Sequence, residues 1–125
     1  SPNAPQKTGY TKAGKDNKLI VRNLISVVID DTEYEISCTI NYMNYLKQQI
    51  EHYKKISHLI KKMNSSKKQV DIDFYREYIT SLFQNNETFD NFDQICQEYA
   101  DAYEEKQKSI KKLEDEIKKI KKLKV

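Results

Sequence analysis

From Phe89 to Ile120 the apolar residues recur at alternating steps of three and four: Phe89, Phe92, Cys96, Tyr99, Tyr103, Ile110, Leu113, Ile117 and Ile120, with Lys106 the one charged position in the series. Such spacing lines up one side chain per turn, the heptad seam along which helices pack on helices. No Gly or Pro occurs from Phe89 to Val125, so nothing in the backbone ends that helix early. At a rise of 1.5 Å per residue it reaches ~55 Å. Residue types divide it in two. Positions 89–103 are aromatic and acidic, suited to packing on other helices. Positions 110–120 are aliphatic and rich in Lys, and are expected to project past the core, leaving Ile110, Leu113, Ile117 and Ile120 as a stripe for a partner.

Upstream, residues 1–17 are polar and hold both prolines and both glycines, which predicts a flexible tail. They contain no apolar segment of the kind a secretory signal needs. Leu19-Ile20-Val21 and Leu24-Ile25-Ser26-Val27-Val28-Ile29 are rich in β-branched residues and read as strand. Asp30-Asp31-Thr32 reads as a turn, because Asp side chains bond the backbone two residues on. Glu33-Tyr34-Glu35-Ile36-Ser37-Cys38 alternates polar with apolar, so Tyr34, Ile36 and Cys38 are expected inside a half-buried strand. The whole predicts an N-terminal β-hairpin.

Thr39 or Asn41 is the expected N-cap of a helix over residues 42–63, with Leu46, Ile50, Tyr53, Ile56, Ile60 and Met63 on one face. Asn64-Ser65-Ser66 ends it. Asp71 is the expected cap of a shorter helix that packs through Phe74, Tyr75, Tyr78, Ile79, Leu82 and Phe83. Gln84-Asn85-Asn86-Glu87 is a polar connection, and Thr88 caps the last helix. The expected fold is therefore α+β: a hairpin on about three helices. The expected organisation is a tail over 1–17, a core over 18–105 and a Lys-rich helical extension over 106–125.

The net charge of +3 conceals a block pattern. Residues 1–70 sum to +6, residues 71–105 to −9 and residues 106–125 to +6. Exposed charges act over about a Debye length, ~8 Å at physiological salt, so the blocks govern contacts more than the total does. Lysines interleaved with aromatics can bind single-stranded nucleic acid. Here the aromatics follow helical packing faces, and Glu114-Asp115-Glu116 breaks the basic patch, so nucleic acid is disfavoured. No apolar run approaches the ~18 residues of a membrane span, and the basic segment 106–125 lacks an aromatic anchor for a membrane surface.

Catalytic patterns are missing. His52 and His58, six apart, fall on different faces of one helix, and Cys38 and Cys96 stand on apolar faces, so no metal or Cys–His pair is expected. The chain carries no phosphate-binding Gly loop, Gly-x-Ser-x-Gly elbow or His-Glu-x-x-His. A non-enzyme without cofactor is expected. Two Cys, 58 positions apart, make no disulfide framework, and a reducing cytoplasm is the default.

The order of parts is similar to that of a family. Residues 27–36 as a hairpin, a helix over 42–62, then Tyr75-Arg76-Glu77-Tyr78-Ile79-Thr80-Ser81-Leu82-Phe83, a polar break and Phe89-Asp90-Asn91-Phe92-Asp93-Gln94-Ile95 opening an acidic helix resemble the small tail assembly chaperones of phages and prophages of Gram-positive bacteria. The resemblance spans about residues 19–105. It implies a strand pair ahead of helices, and a role in shielding the long apolar helices of a tape-measure protein until tail-tube subunits replace it. The expected function is thus a protein-interaction or assembly factor for a long helical client. The alternatives are a dimerising coiled-coil adaptor and a nucleic-acid-binding accessory protein.

Overall fold

The computed structural model describes residues 12–123, and among them it holds three α-helices and no β-strand: α1 over Lys12–Ser65, α2 over Gln69–Leu82 and α3 over Phe92–Lys121. It is 87% helical, and this overturns the α+β expectation. The predicted hairpin is the first half of α1. The expected tail over 1–17 enters the same helix from Lys12 on, and residues 1–11 lie outside the described residues.

The physical reason is local. Thr32 donates its hydroxyl to the Val28 carbonyl at 2.7 Å, Ser37 to Glu33 at 3.1 Å and Thr39 to Glu35 at 2.9 Å. Each residue read as turn or strand punctuation returns its hydroxyl to the carbonyl one turn back, which a helix accommodates. The β-branched residues cost only a few tenths of a kcal/mol each in a helix. Neither Thr39 nor Asn41 caps anything, since both lie inside α1.

The chain divides into two compact units. The first comprises residues 12–39 of α1 and 109–123, and the second spans Ile40–Lys108. Within the first, Ile25, Ile29, Thr32, Ile36 and Thr39 of α1 are half-buried at steps of four and three, and on α3 Ile110, Leu113 and Ile120 are half-buried and Ile117 buried. Only Ile36 of the three predicted inward residues turns inside; Tyr34 and Cys38 are exposed.

The second unit has its core in Tyr53, Ile56, Ile79 and Phe92, ringed by Leu59, Ile60, Met63, Tyr75, Leu82, Phe83, Ile95, Cys96 and Tyr99. The Tyr53 ring lies 5.2 Å from Phe92 and 5.3 Å from Tyr99, and the Lys106 ammonium sits 5.7 Å over the Tyr42 ring. Rising numbers on α3 therefore meet falling numbers on α1, and the pair is antiparallel here. Of the packing face predicted for α2, Tyr75, Ile79, Leu82 and Phe83 turn inward, while Phe74 and Tyr78 are exposed. Asp71 stands in the first turn of α2, near the positive dipole end, and the capping position is Lys68, without a side-chain cap.

The 83–91 connection is tightly held. Asn85 takes a left-handed φ of 51°, a conformation Asn tolerates better than most residues. The Thr88 hydroxyl accepts the Asn91 N–H at 3.3 Å, and Asn91 Oδ1 accepts the Thr88 N–H at 2.7 Å. Asn91 Nδ2 also donates to the Asn86 carbonyl at 2.7 Å. This reciprocal pair satisfies donors that a helix start leaves orphaned, and α3 proper begins one residue later.

Candidate functional site

The four residues expected to await a partner are already covered. Ile117 is 8% exposed, and Ile110, Leu113 and Ile120 are half-buried within the first unit. The distal part of α3, expected to project past the core, shares one compact unit with residues 12–39, the segment that reads as hairpin and tail in sequence. A heptad seam reports that a partner exists and says nothing of whether it lies in the same chain.

The uncovered apolar surface lies on the other side of α1. Ile20, Leu24, Val27, Tyr34 and Cys38 recur with Asp31 at steps of four and three. At 100° per residue this line runs roughly opposite the Ile25–Ile29–Thr32–Ile36 line. Leu24 is 59% exposed, Val27 55%, Ile20 55% and Tyr34 73%. The first half of α1 thus has two apolar faces, one packed and one open. Sequence reasoning misses it, although the spacing is there to be found, because alternation at 33–38 also fits a strand. The open line is bordered by exposed Asp16, Asp30 and Glu35 and interrupted by Asp31, so its rim is acidic. On the same unit the outer side of α3 carries Lys111, Lys112, Lys118, Lys119 and Lys122 with the exposed carboxylates of Glu114, Asp115 and Glu116 among them, and no apolar line.

In the second unit α2 shows a smaller exposed ridge. Val70 is 78% exposed and Phe74 63%, and the Phe74 and Tyr78 rings lie within 2° of parallel at 6.2 Å. Spacing alone places both aromatics in the core. Only one face of a two-sided aromatic helix finds cover.

Polar chemistry concentrates around Glu87, whose side chain is 5% exposed. Its Oε1 accepts the Gln84 N–H at 2.5 Å and lies 3.6 Å from His52 Nε2. Neither Glu87 Oε2 nor His52 Nε2 has a hydrogen-bond partner. The Tyr53 phenol is pushed well above the ordinary tyrosine value, first by burial and then by its hydrogen bond to the Glu87 carboxylate and that carboxylate's charge. Tyr99 is raised too, first by its hydrogen bond with Tyr45 and then by burial. Burial, followed by the charges of Asp93 and Glu87, pushes the Cys96 thiol up to about 11, so it stays protonated at neutral pH. His58 and Cys96 line one groove of about 590 Å³ in this unit, beside Lys54 and Lys61. Among the described residues no group of three or more His, Cys, Asp and Glu side chains converges as a metal site would require. Among them, too, no helix is long and apolar enough to cross a membrane.

The raised Tyr53 phenol has a pH consequence. An unfolded tyrosine loses its proton near its ordinary value of about 10, while the folded phenol keeps it. Above that value the native state binds more protons, so stability falls as pH rises, by up to ~1.4 kcal/mol per pH unit from this group. Urea unfolding should give a flat midpoint from neutral pH to about 8, a first decline from about 8.5 as the raised Cys96 thiol is felt, and a steeper one beyond about 10 as Tyr53 joins it. A midpoint that holds steady through that upper range would contradict the buried Tyr53–Glu87 contact.

With this geometry in view, comparison with known proteins adds no relative: no family model matches the chain, and neither curated proteins nor solved structures yield a match.

Proposed function

We propose that this chain is a non-enzymatic protein-interaction module whose α1 docks an amphipathic, basic helix of a partner protein. The observation that carries the reading is the open line Ile20, Leu24, Val27 and Tyr34, apolar at heptad spacing and rimmed by Asp16, Asp30, Asp31 and Glu35. An amphipathic helix laid along it matches the spacing with its own apolar stripe and the rim with Lys or Arg. The same rim opposes a second copy of this chain, because pairing two such faces brings eight carboxylates together. It also opposes nucleic acid on that face.

The reading shares with the tail-chaperone expectation only a helical client. The strand pair that the family places ahead of its helices is absent from the described residues.

The test is a binding measurement with two designed peptides that share Leu at the seam positions. One carries Lys at the flanking positions and the other Glu. The Lys peptide should bind with an affinity that falls as salt rises, and the Glu peptide should not bind. Leu24→Glu with Val27→Glu should weaken binding at least ~10-fold for each site, since burying one such side chain is worth ~1.5–3 kcal/mol. Circular dichroism should be unchanged, because both residues are exposed. Equal binding of both peptides, or indifference to the double substitution, would sink the proposal. So would a concentration-dependent dimer in sedimentation that the double substitution dissolves, which would make the face a self-interface.

A further inference from the structure

The connection between α2 and α3 closes over a small polar cavity in the second unit. Its volume is about 160 Å³, several times the ~30 Å³ share of one water in the liquid. Tyr45, Gln49 and Tyr53 of α1, Tyr99 of α3, and Gln84 and Glu87 of the connection line it. No Lys or Arg is among the lining residues. The Glu87 side chain is nevertheless only 5% exposed, and its Oε2 has no partner, His52 standing 3.6 Å away on the Oε1 side. The Gln84 N–H and the Tyr53 phenol serve this carboxylate, yet a buried carboxylate oxygen left without its own partner remains costly unless a donor or a cation occupies the space beside it.

Three tyrosines give the space its character. The Tyr53 and Tyr99 rings are 5.3 Å apart and inclined by 39°, and Tyr45 reaches Tyr99 through its hydroxyl. Aromatic faces attract cations through the ring quadrupole, and attract them more strongly where water is excluded. A divalent metal would need several hard ligands, and only one carboxylate is present. Anions are repelled by that same carboxylate. What remains is a soft monovalent cation able to donate hydrogen bonds and to present methylenes to the rings.

The geometry points to a binding site for a primary or methylated ammonium group, with Glu87 supplying the charge and Tyr45, Tyr53 and Tyr99 the walls. The ammonium donates to the open Oε2 and to tyrosine hydroxyls, while its alkyl stem lies along the rings. A free amine and a lysine side chain share this chemistry.

The probes are therefore n-butylammonium chloride and Nα-acetyl-lysine amide. Neutral n-butanol and sodium chloride at matched ionic strength are the controls. The readout is the ring-proton shifts of Tyr45, Tyr53 and Tyr99 in the full chain. Saturable shifts are expected with at least one of the ammonium probes and with neither control. The probe that saturates at the lower concentration identifies the source. Glu87→Gln keeps the shape and removes the charge, and should weaken binding ~10-fold or more, the effect of ~1.4 kcal/mol or greater. Should Glu87→Gln fail to fold, Tyr45→Ala serves instead. Tyr45 is 47% exposed, so its loss removes a wall with the core intact, and binding should fall several-fold. No saturation through ~50 mM, far above the ~1 mM of a weak specific site, would overturn the assignment and leave the cavity to water. Equal shifts with n-butanol would overturn it as well.

Discussion

Phe92→Ala is expected to cost the second unit about 3–5 kcal/mol, which is a large part of the 5–15 kcal/mol by which domains are ordinarily stable. Phe92 is 2% exposed and closes the first turn of α3 onto Tyr53 at 5.2 Å and Phe83 at 6.1 Å between ring centroids. Truncation removes those contacts and leaves a cavity that three helices cannot collapse into without moving. The loss should appear as a lower urea midpoint at an unchanged slope. Phe89→Ala provides the internal comparison. Phe89 occupies the preceding seam position in sequence, yet it is 38% exposed, with its ring 5.0 Å from that of Phe83. Its truncation should cost much less. Equal losses at the two positions would mean that α3 enters the core one turn earlier than the structure has it.

Asp31→Pro separates helix from hairpin directly. In the turn that Asp30-Asp31-Thr32 suggests, proline at the middle position would be accommodated, since it pre-sets φ for a turn. In α1 the same residue sits mid-helix, where proline removes a backbone hydrogen bond and clashes with the carbonyl four residues back. The expected cost is ~3 kcal/mol or more, with part of the far-ultraviolet helical signal lost. Asp31→Ala, which keeps the helix and improves its propensity, should leave that signal intact. A proline variant with undiminished helicity would restore the turn.

Much of α3 can be read from spacing alone. Every seam position from Phe92 to Ile120 is buried or half-buried, Lys106 included, because one apolar line on an otherwise charged helix admits one orientation. The same holds for residues 46–63 of α1, where Leu46, Tyr53 and Ile56 carry the burial. Residues 19–39 resist for a different reason. Their packed line contains Thr32 and Thr39, and their open line contains Ile20, Leu24, Val27 and Tyr34, so hydrophobicity does not single out the face that packs. A helix apolar on two sides has a weak amphipathic period, and β-branched residues then tilt the reading toward strand.

The Glu87 cavity is illegible for another reason. In sequence, Glu87 is one residue of a polar connection. Its burial depends on Asn85 turning left-handed and on the Thr88–Asn91 pair holding the chain down, and neither effect has a period. Tyr45, Tyr53 and Tyr99 come together only because α1 and α3 run antiparallel in that unit.

By itself, then, the sequence determined that α3 is a long helix with a seam and that Asn64-Ser65-Ser66 stops the helix before α2, while α3 starts at Phe92, four residues after the expected cap Thr88. Those features rest on residues within a turn or two of one another, where spacing and capping chemistry suffice. Only the tertiary structure decided that the distal seam of α3 is buried or half-buried in one unit with residues 12–39, and that an open apolar line lies on α1. Burial is a relation between segments far apart in the chain. A stripe that must be covered looks the same in sequence whether its cover comes from the same chain or from a partner.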